Sequence, residues 1–195
     1  MARHFGVSKL TYLPRFNIAP TQEVSAVRDL GEGRELEFLR WGLIPSWAKD
    51  KSIGAKLINA RAETVAEKPA FRSAFKHRRC LIPADGFFEW KKEGGRKEPH
   101  YITLRDGGLF AFAGLWEEWH PEDGEAVRSC TIITTGANEL VRPLHDRMPV
   151  ILDPGDYADW LDVNPRTKEQ LLSLLRPFPS EKMRTYPQDC LVNKV

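Results

Sequence analysis

Five short segments carry the side chains that could move a proton or hold an anion. In Ala84-Asp85-Gly86-Phe87-Phe88-Glu89-Trp90-Lys91 one glutamate stands among three aromatic rings. On a strand, Phe87, Glu89 and Lys91 share one face while Phe88 and Trp90 take the other. Burial on that face would raise the pKa of Glu89 and suit it to carry a proton near neutral pH. The plain alternative is a strand-edge ion pair with Lys91 or Lys92. In Ile58-Asn59-Ala60-Arg61-Ala62-Glu63-Thr64 an extended backbone projects Asn59, Arg61 and Glu63 to one side. An amide beside a guanidinium can hold an oxyanion or a phosphate in fixed geometry; a surface ion pair would use the same residues.

Pro143-Leu144-His145-Asp146-Arg147-Met148-Pro149 sets a histidine between two prolines, with Asp146 able to hold one tautomer and Arg147 a second phosphate candidate. A satisfied structural histidine fits the same spacing. Trp41-Gly42-Leu43-Ile44-Pro45-Ser46-Trp47 puts Trp47 in a loop bent by glycine and proline. There it could stack on a nucleic-acid base or fold back onto the core. Phe71-Arg72-Ser73-Ala74-Phe75-Lys76-His77-Arg78-Arg79 is the one dense basic run. It reads as a local positive patch or as cations at a helix C-terminus.

The elements that must position these residues are mostly strands. Apolar and polar residues alternate over Val24–Arg28, Glu35–Trp41, Arg79–Pro83, Phe87–Lys91, Tyr101–Leu104, Leu109–Ala113 and Cys130–Thr134. Turn signals separate them at Gly94-Gly95, Asp106-Gly107 and Asp123-Gly124, and the Asp106-Gly107 turn predicts a hairpin between Tyr101–Leu104 and Leu109–Ala113. Helices are predicted over Glu67–Phe75, over Pro154–Leu161 with Asp153 as N-cap, and over Arg166–Leu175. Strands in a run with helices set aside predict an α+β fold, a curled and mainly antiparallel sheet with peripheral helices.

The 195 residues suit a single domain, and 29 Lys plus Arg against 27 Asp plus Glu leave a net charge of only +2. A nucleic-acid surface must therefore be a local patch. Cys80, Cys130 and Cys190 are far apart and lack CxxC spacing, and the five histidines lack metal-ligand spacing. No phosphate-binding loop, dinucleotide fingerprint or HExxH motif occurs, so neither a metal nor a cofactor is expected. MARHFGVSKL has no apolar signal segment, and no stretch reaches membrane-spanning length. The expectation is a soluble protein of a reducing cytoplasm.

Taken together and in order, Arg15-Phe16-Asn17-Ile18-Ala19-Pro20-Thr21, the WGLIPSW loop, INARAET, RRCLIPADGFFEWKK, Ile132-Ile133-Thr134-Thr135 and LHDRMPVIL resemble the SRAP family. These are the SOS response-associated peptidase domains, also called abasic-site processing proteins, and the resemblance runs from about Phe5 to Lys194. It implies one SRAP domain over residues 1–195, with the sheet curled toward a barrel. It also implies binding of single-stranded DNA at abasic sites and a covalent DNA–protein crosslink in the DNA-damage response. The implied nucleophile is an N-terminal cysteine whose α-amine and thiol close a thiazolidine on the sugar aldehyde. By motif, Asn59 orients that residue, Glu89 shuttles protons, and His145 assists ring opening and crosslink reversal. Arg61 and Arg147 contact phosphates, Trp47 and Trp90 pack on bases or backbone, and Thr134 lines the same pocket.

Family chains begin Met-Cys-Gly-Arg, whereas Met1 here is followed by Ala2-Arg3-His4-Phe5-Gly6-Val7, which is similar to the interior of a family helix. The three cysteines carry no free α-amine, and the C-terminus ends early at Leu191-Val192-Asn193-Lys194-Val195. The expectation is a true start upstream that supplies the nucleophile. Two other functions stay open: a cysteine-type peptidase acting on its own N-terminus, and a non-covalent single-stranded DNA-binding remnant. Implied partners are abasic single-stranded DNA and no membrane, for a monomer of the bacterial cytoplasm that joins the nucleoid on DNA.

Overall fold

Two sheets organise the computed structural model, which describes residues 2–7, 15, 17–164 and 166–188, with the backbone alone at 92, 93 and 96. In chain order the strands are β1 (Glu23–Asp29), β2 (Arg34–Trp41), β3 (Asn59–Arg61), β4 (Arg79–Ala84), β5 (Phe87–Glu93), β6 (Arg96–Leu104), β7 (Phe110–Trp119), β8 (Val127–Gly136), β9 (Arg147–Pro149), β10 (Ile151–Leu152) and β11 (Met183–Pro187). The helices are short: α1 (Ala2–Phe5), α2 (Arg72–His77), α3 (Tyr157–Leu161) and α4 (Lys168–Ser173).

The larger sheet runs β10-β7-β4-β1-β2-β8-β3, with β9 beside β8 and a further pairing of β7 with β8 that brings the path back on itself. The ring is splayed rather than sealed. β1 meets β4 only at Val27 and Leu81, and β2 meets β8 only at Arg40–Ser129 and Trp41–Cys130. Pairings are antiparallel except β2–β8 and β3–β8. The smaller sheet is β11-β6-β5. An α+β fold with a curled sheet and peripheral helices is what forms.

β1, β4, β7 and β8 of the larger sheet are buried on both faces, so successive residues of one strand enter different cores. On β4, β7 and β8, Cys80, Ile82, Phe110, Phe112, Cys130 and Ile132 join one core with Ile102 and Met183 of the smaller sheet. Leu81, Ala111, Ala113, Leu115 and Ile133 join the other, where Phe75, Tyr157, Trp160 and Leu171 of the helices cover them. This double burial explains why β7 and β8 read as near-continuous apolar runs.

The hairpin expected at Asp106-Gly107 does not form. β6 pairs with β5 and β11, while β7 pairs with β4, β8 and β10, so the turn passes the chain from one sheet to the other. The hairpin of β5 and β6 instead turns at Gly94-Gly95, where φ of 56° and 79° suits the two-residue primed turn. Helix starts also shift. Residues 62–71 are turns, and α2 begins after Pro69 rather than at Glu67. Asp153 precedes a 3₁₀ turn, Pro154–Asp156, without a side-chain cap, and α3 follows it. α4 begins at a capping box, Thr167 with Gln170, inside the expected span.

The last two residues of the basic run have structural partners. Arg79 is buried and donates to the carbonyls of Phe75, Lys76, Trp160 and Asp162, tying off the C-termini of α2 and α3. Arg78 donates to Glu117 at 2.7 Å. This is the helix-terminus reading, and none of these residues borders the cleft described next.

Candidate active site

A cleft of about 830 Å³ opens between the smaller sheet and the face of the larger one that carries Val24, Ile82, Phe112 and Ile132. Asn59, Arg61, Glu89, Trp90, Thr134, His145 and Arg147 all line it. Seven of the eight site residues expected from sequence therefore converge there, from segments up to 88 positions apart. Trp47 does not join them. It is 59% exposed on its loop, which excludes a core packing, and it borders a different part of the surface.

β3 presents two of these residues because it pairs in parallel with β8, Asn59 opposite Ile132 and Arg61 opposite Thr134. Ala60 between them is buried, so Asn59 and Arg61 both point outward. The Trp41 indole donates to the Ile58 carbonyl at 2.9 Å and holds the approach to the strand. Among the described residues neither the Asn59 amide nor the Arg61 guanidinium has a hydrogen bond or an ion pair, although the Arg61 charge helps to hold the Glu63 carboxyl down. The Trp47 loop is equally fixed. Gly42 and Gly54 press backbone to backbone, such that a Cβ on either would meet the other's carbonyl oxygen at 2.6 Å. The Trp119 indole donates to the Ala48 carbonyl at 2.7 Å.

Glu89 lies on β5, where burial pushes its carboxyl above the ordinary carboxylate value of 4.5. The positive charge His145 can carry and the Trp90 N–H act the other way, and Asp146 adds to the rise. Burial dominates, so the group is suited to hold and release a proton. Facing it, His145 stands on the segment before β9. Asn138 builds that segment by donating to the Phe178 carbonyl at 2.7 Å and accepting from the Val141 N–H at 3.0 Å. The His145 Nδ1 lies 3.0 Å from the Arg147 N–H, which can donate to it. The Arg147 carbonyl at 3.2 Å and Asp146 Oδ1 at 3.3 Å stand on the same side of the ring.

Arg147 is less available than its position suggested. Its Nη1 and Nη2 donate to the two carboxylate oxygens of Glu63 at 2.6 and 2.9 Å, and Nη2 also donates to the Thr134 carbonyl at 2.6 Å. That hydrogen-bonded fork holds the Glu63 carboxyl below its usual range. Thr134, buried under the fork, forms part of the wall.

Sequence reasoning passed over Arg15, Asn17, Asp85 and Tyr101, which also line the cleft. Arg15 and Asn17 sit in the RFNIAPT motif, and Asp85 opens the ADGFFEW segment, so the motifs contained them without singling them out. Tyr101 donates to Asp85 Oδ1 at 3.2 Å, and nothing in its own strand announces that partner. Cys80 and Cys130 are buried with thiol pKa values pushed up by desolvation, and Cys190 lies outside the described residues. Among the described residues no helix is long and apolar enough to cross a membrane, and no group of three or more His, Cys, Asp or Glu could hold a metal.

The family model of the SOS response associated peptidase (SRAP) matches residues 1–195. The abasic site processing protein YoqW of Bacillus subtilis is 48% identical over 183 residues, covering 93% of this chain and 82% of the relative. YedK of Escherichia coli, with the same descriptive name, is 35% identical over 147 residues, covering 75% of this chain and 64% of the relative. A solved structure of a Bordetella bronchiseptica protein superposes with a TM-score of 0.85 at 30% identity, over 97% of this chain and 94% of that one. One from Bacteroides thetaiotaomicron superposes with a TM-score of 0.82 at 35% identity, over 88% and 75%.

Proposed function

The chain belongs to the SRAP (SOS response-associated peptidase) family, and we propose that its cleft binds single-stranded DNA at an abasic site and forms a covalent crosslink to it. The observation that carries this reading is the meeting of Glu89, its carboxyl raised by burial, with His145 in a cleft rimmed by the Asn59 amide and the Arg61 guanidinium, neither hydrogen-bonded to a described residue.

A ring-opened abasic site is an aldehyde between two phosphodiesters, so its capture needs a phosphate contact, a nucleophile and proton carriers. Arg61 takes one phosphate. Arg147 takes another only by exchanging the Glu63 carboxylate for it. Trp90 packs beside the opened sugar, Thr134 walls the pocket, and Trp47 stacks on a base further along the strand. The nucleophile is a 1,2-aminothiol, an N-terminal cysteine oriented by Asn59. Its amine adds to the aldehyde carbon, and water leaves with a proton from Glu89. The sulfur then adds to the resulting iminium carbon and its proton returns to the Glu89 carboxylate, for a net loss of one water. His145 assists ring opening and, in reverse, release. Buried Cys80 and Cys130 lack both access and an α-amine for this role. The protein acts as a monomer in the bacterial cytoplasm, at the nucleoid when engaged on DNA.

The test is incubation of the chain, carrying a Met-Cys-Gly-Arg segment ahead of Ala2, with an abasic single-stranded oligonucleotide. A slower band that survives denaturant and disappears when that cysteine is replaced by alanine is expected. Reversible, salt-sensitive binding without such a band would assign a non-covalent DNA-binding protein. Processing of the N-terminus without a DNA adduct would assign the autopeptidase.

A further inference from the structure

The smaller sheet carries an aromatic surface beyond the cleft. In register, Phe88 of β5 lies opposite Tyr101 of β6, and Tyr101 opposite Tyr186 of β11. Their ring centroids are 5.1 and 5.8 Å apart, so the rings form a row across all three strands. Strand alternation places Ile102 and Met183 on the core side and this row on the other. Tyr101 is seated by Gly86, where a Cβ would meet its ring at 2.2 Å, and by its hydroxyl on Asp85. Phe88 and Tyr101 also line the cleft, whereas Tyr186 lies outside it and is 38% exposed. Lys97 and Arg184 share the face by alternation, both exposed and neither paired with a described residue.

We propose that the row Phe88–Tyr101–Tyr186 is a stacking platform for unpaired bases of the DNA strand where it leaves the cleft, with Lys97 and Arg184 contacting its phosphates. The surface is continuous with the cleft through Phe88 and Tyr101, which selects the flanking strand over an unrelated partner. Aromatic rings accept any base, and two unpaired cations suit a polyanion and not an apolar peptide. The proposal rests on the DNA reading of the cleft. It adds a sequence-tolerant contact outside the reacting nucleotide.

The test uses the chain carrying the same Met-Cys-Gly-Arg segment ahead of Ala2 and single-stranded oligonucleotides with 2-aminopurine at successive distances from an abasic or an undamaged nucleotide. Binding is expected to quench the probe at one or two positions outside the cleft. Tyr186→Ala should abolish the outermost quench and weaken binding of long oligonucleotides by at least about fivefold, while Tyr186→Phe should restore both. Equal quench and equal affinity for wild type and Tyr186→Ala would overturn the platform, including when the face serves a protein partner instead. Tyr186-dependent quench on undamaged DNA without any abasic adduct would sustain the platform and remove the crosslinking role. Adduct formation with no Tyr186 dependence would do the reverse.

Discussion

Glu89 is the residue whose behaviour follows most directly from its surroundings. Its folded-state pKa lies above the ordinary value of 4.5 because burial disfavours the charged form. The folded chain therefore binds this proton more tightly than the unfolded chain. The stability it contributes is complete at low pH and is lost as pH rises from that ordinary value through the folded pKa. Glu89→Gln keeps the shape and removes the titration. In thermal melts from about pH 4 to about pH 8 the variant should match the wild type at the acid end and melt higher at the neutral end. A gap that stays constant with pH would mean the carboxyl is not desolvated. In the crosslinking assay the same variant should be slower by about 10²–10⁴-fold with non-covalent binding largely kept. Equal loss of both would make Glu89 structural.

At the scale of elements, two short helices depend on one side chain. Arg79 supplies donors to four carbonyls that α2 and α3 leave unmatched at their C-termini. Arg79→Ala should cost about 3 kcal/mol or more, because several buried acceptors lose their partner together. Arg79→Lys should recover little, since a single ammonium cannot span carbonyls of two helices as the planar fork does. Chemical denaturation of the three proteins measures this. A loss below about 0.5 kcal/mol would show that water replaces the arginine without cost.

Over the whole molecule, the strands β4, β7 and β8 at the heart of the larger sheet are buried on both faces, and that arrangement removes Cys80 and Cys130 from solvent together. Their thiols should resist iodoacetamide in the native state and react only as fast as the sheet opens. Mass mapping of labelled peptides, compared with the unfolding rate, checks this. Rapid native labelling of either residue would show that the sheet breathes faster than the chain unfolds. The same double burial leaves the cleft, rather than the cores, as the place where Asn59, Glu89 and His145 meet.

Much of this was legible in the chain because it is local. Strand alternation places Glu89 apart from Phe88 and Trp90, and Ala60 between Asn59 and Arg61, whatever the sheets do. Motif order carried the family and seven residues of the cleft. Pairing was not legible, because a strand's partner is chosen by which faces must be buried together and not by the turn that follows it. Thus Asp106-Gly107 carries a hairpin's residues yet joins two sheets. Nor could spacing reveal that Glu63 holds the Arg147 fork from 84 positions away, or that Trp47 stays exposed outside the cleft. Sequence determined which chemical groups the protein owns and which neighbours share a face. Tertiary structure alone decided which groups meet, which are free and which are already spent, because desolvation and long-range pairing depend on segments the chain brings together only by folding.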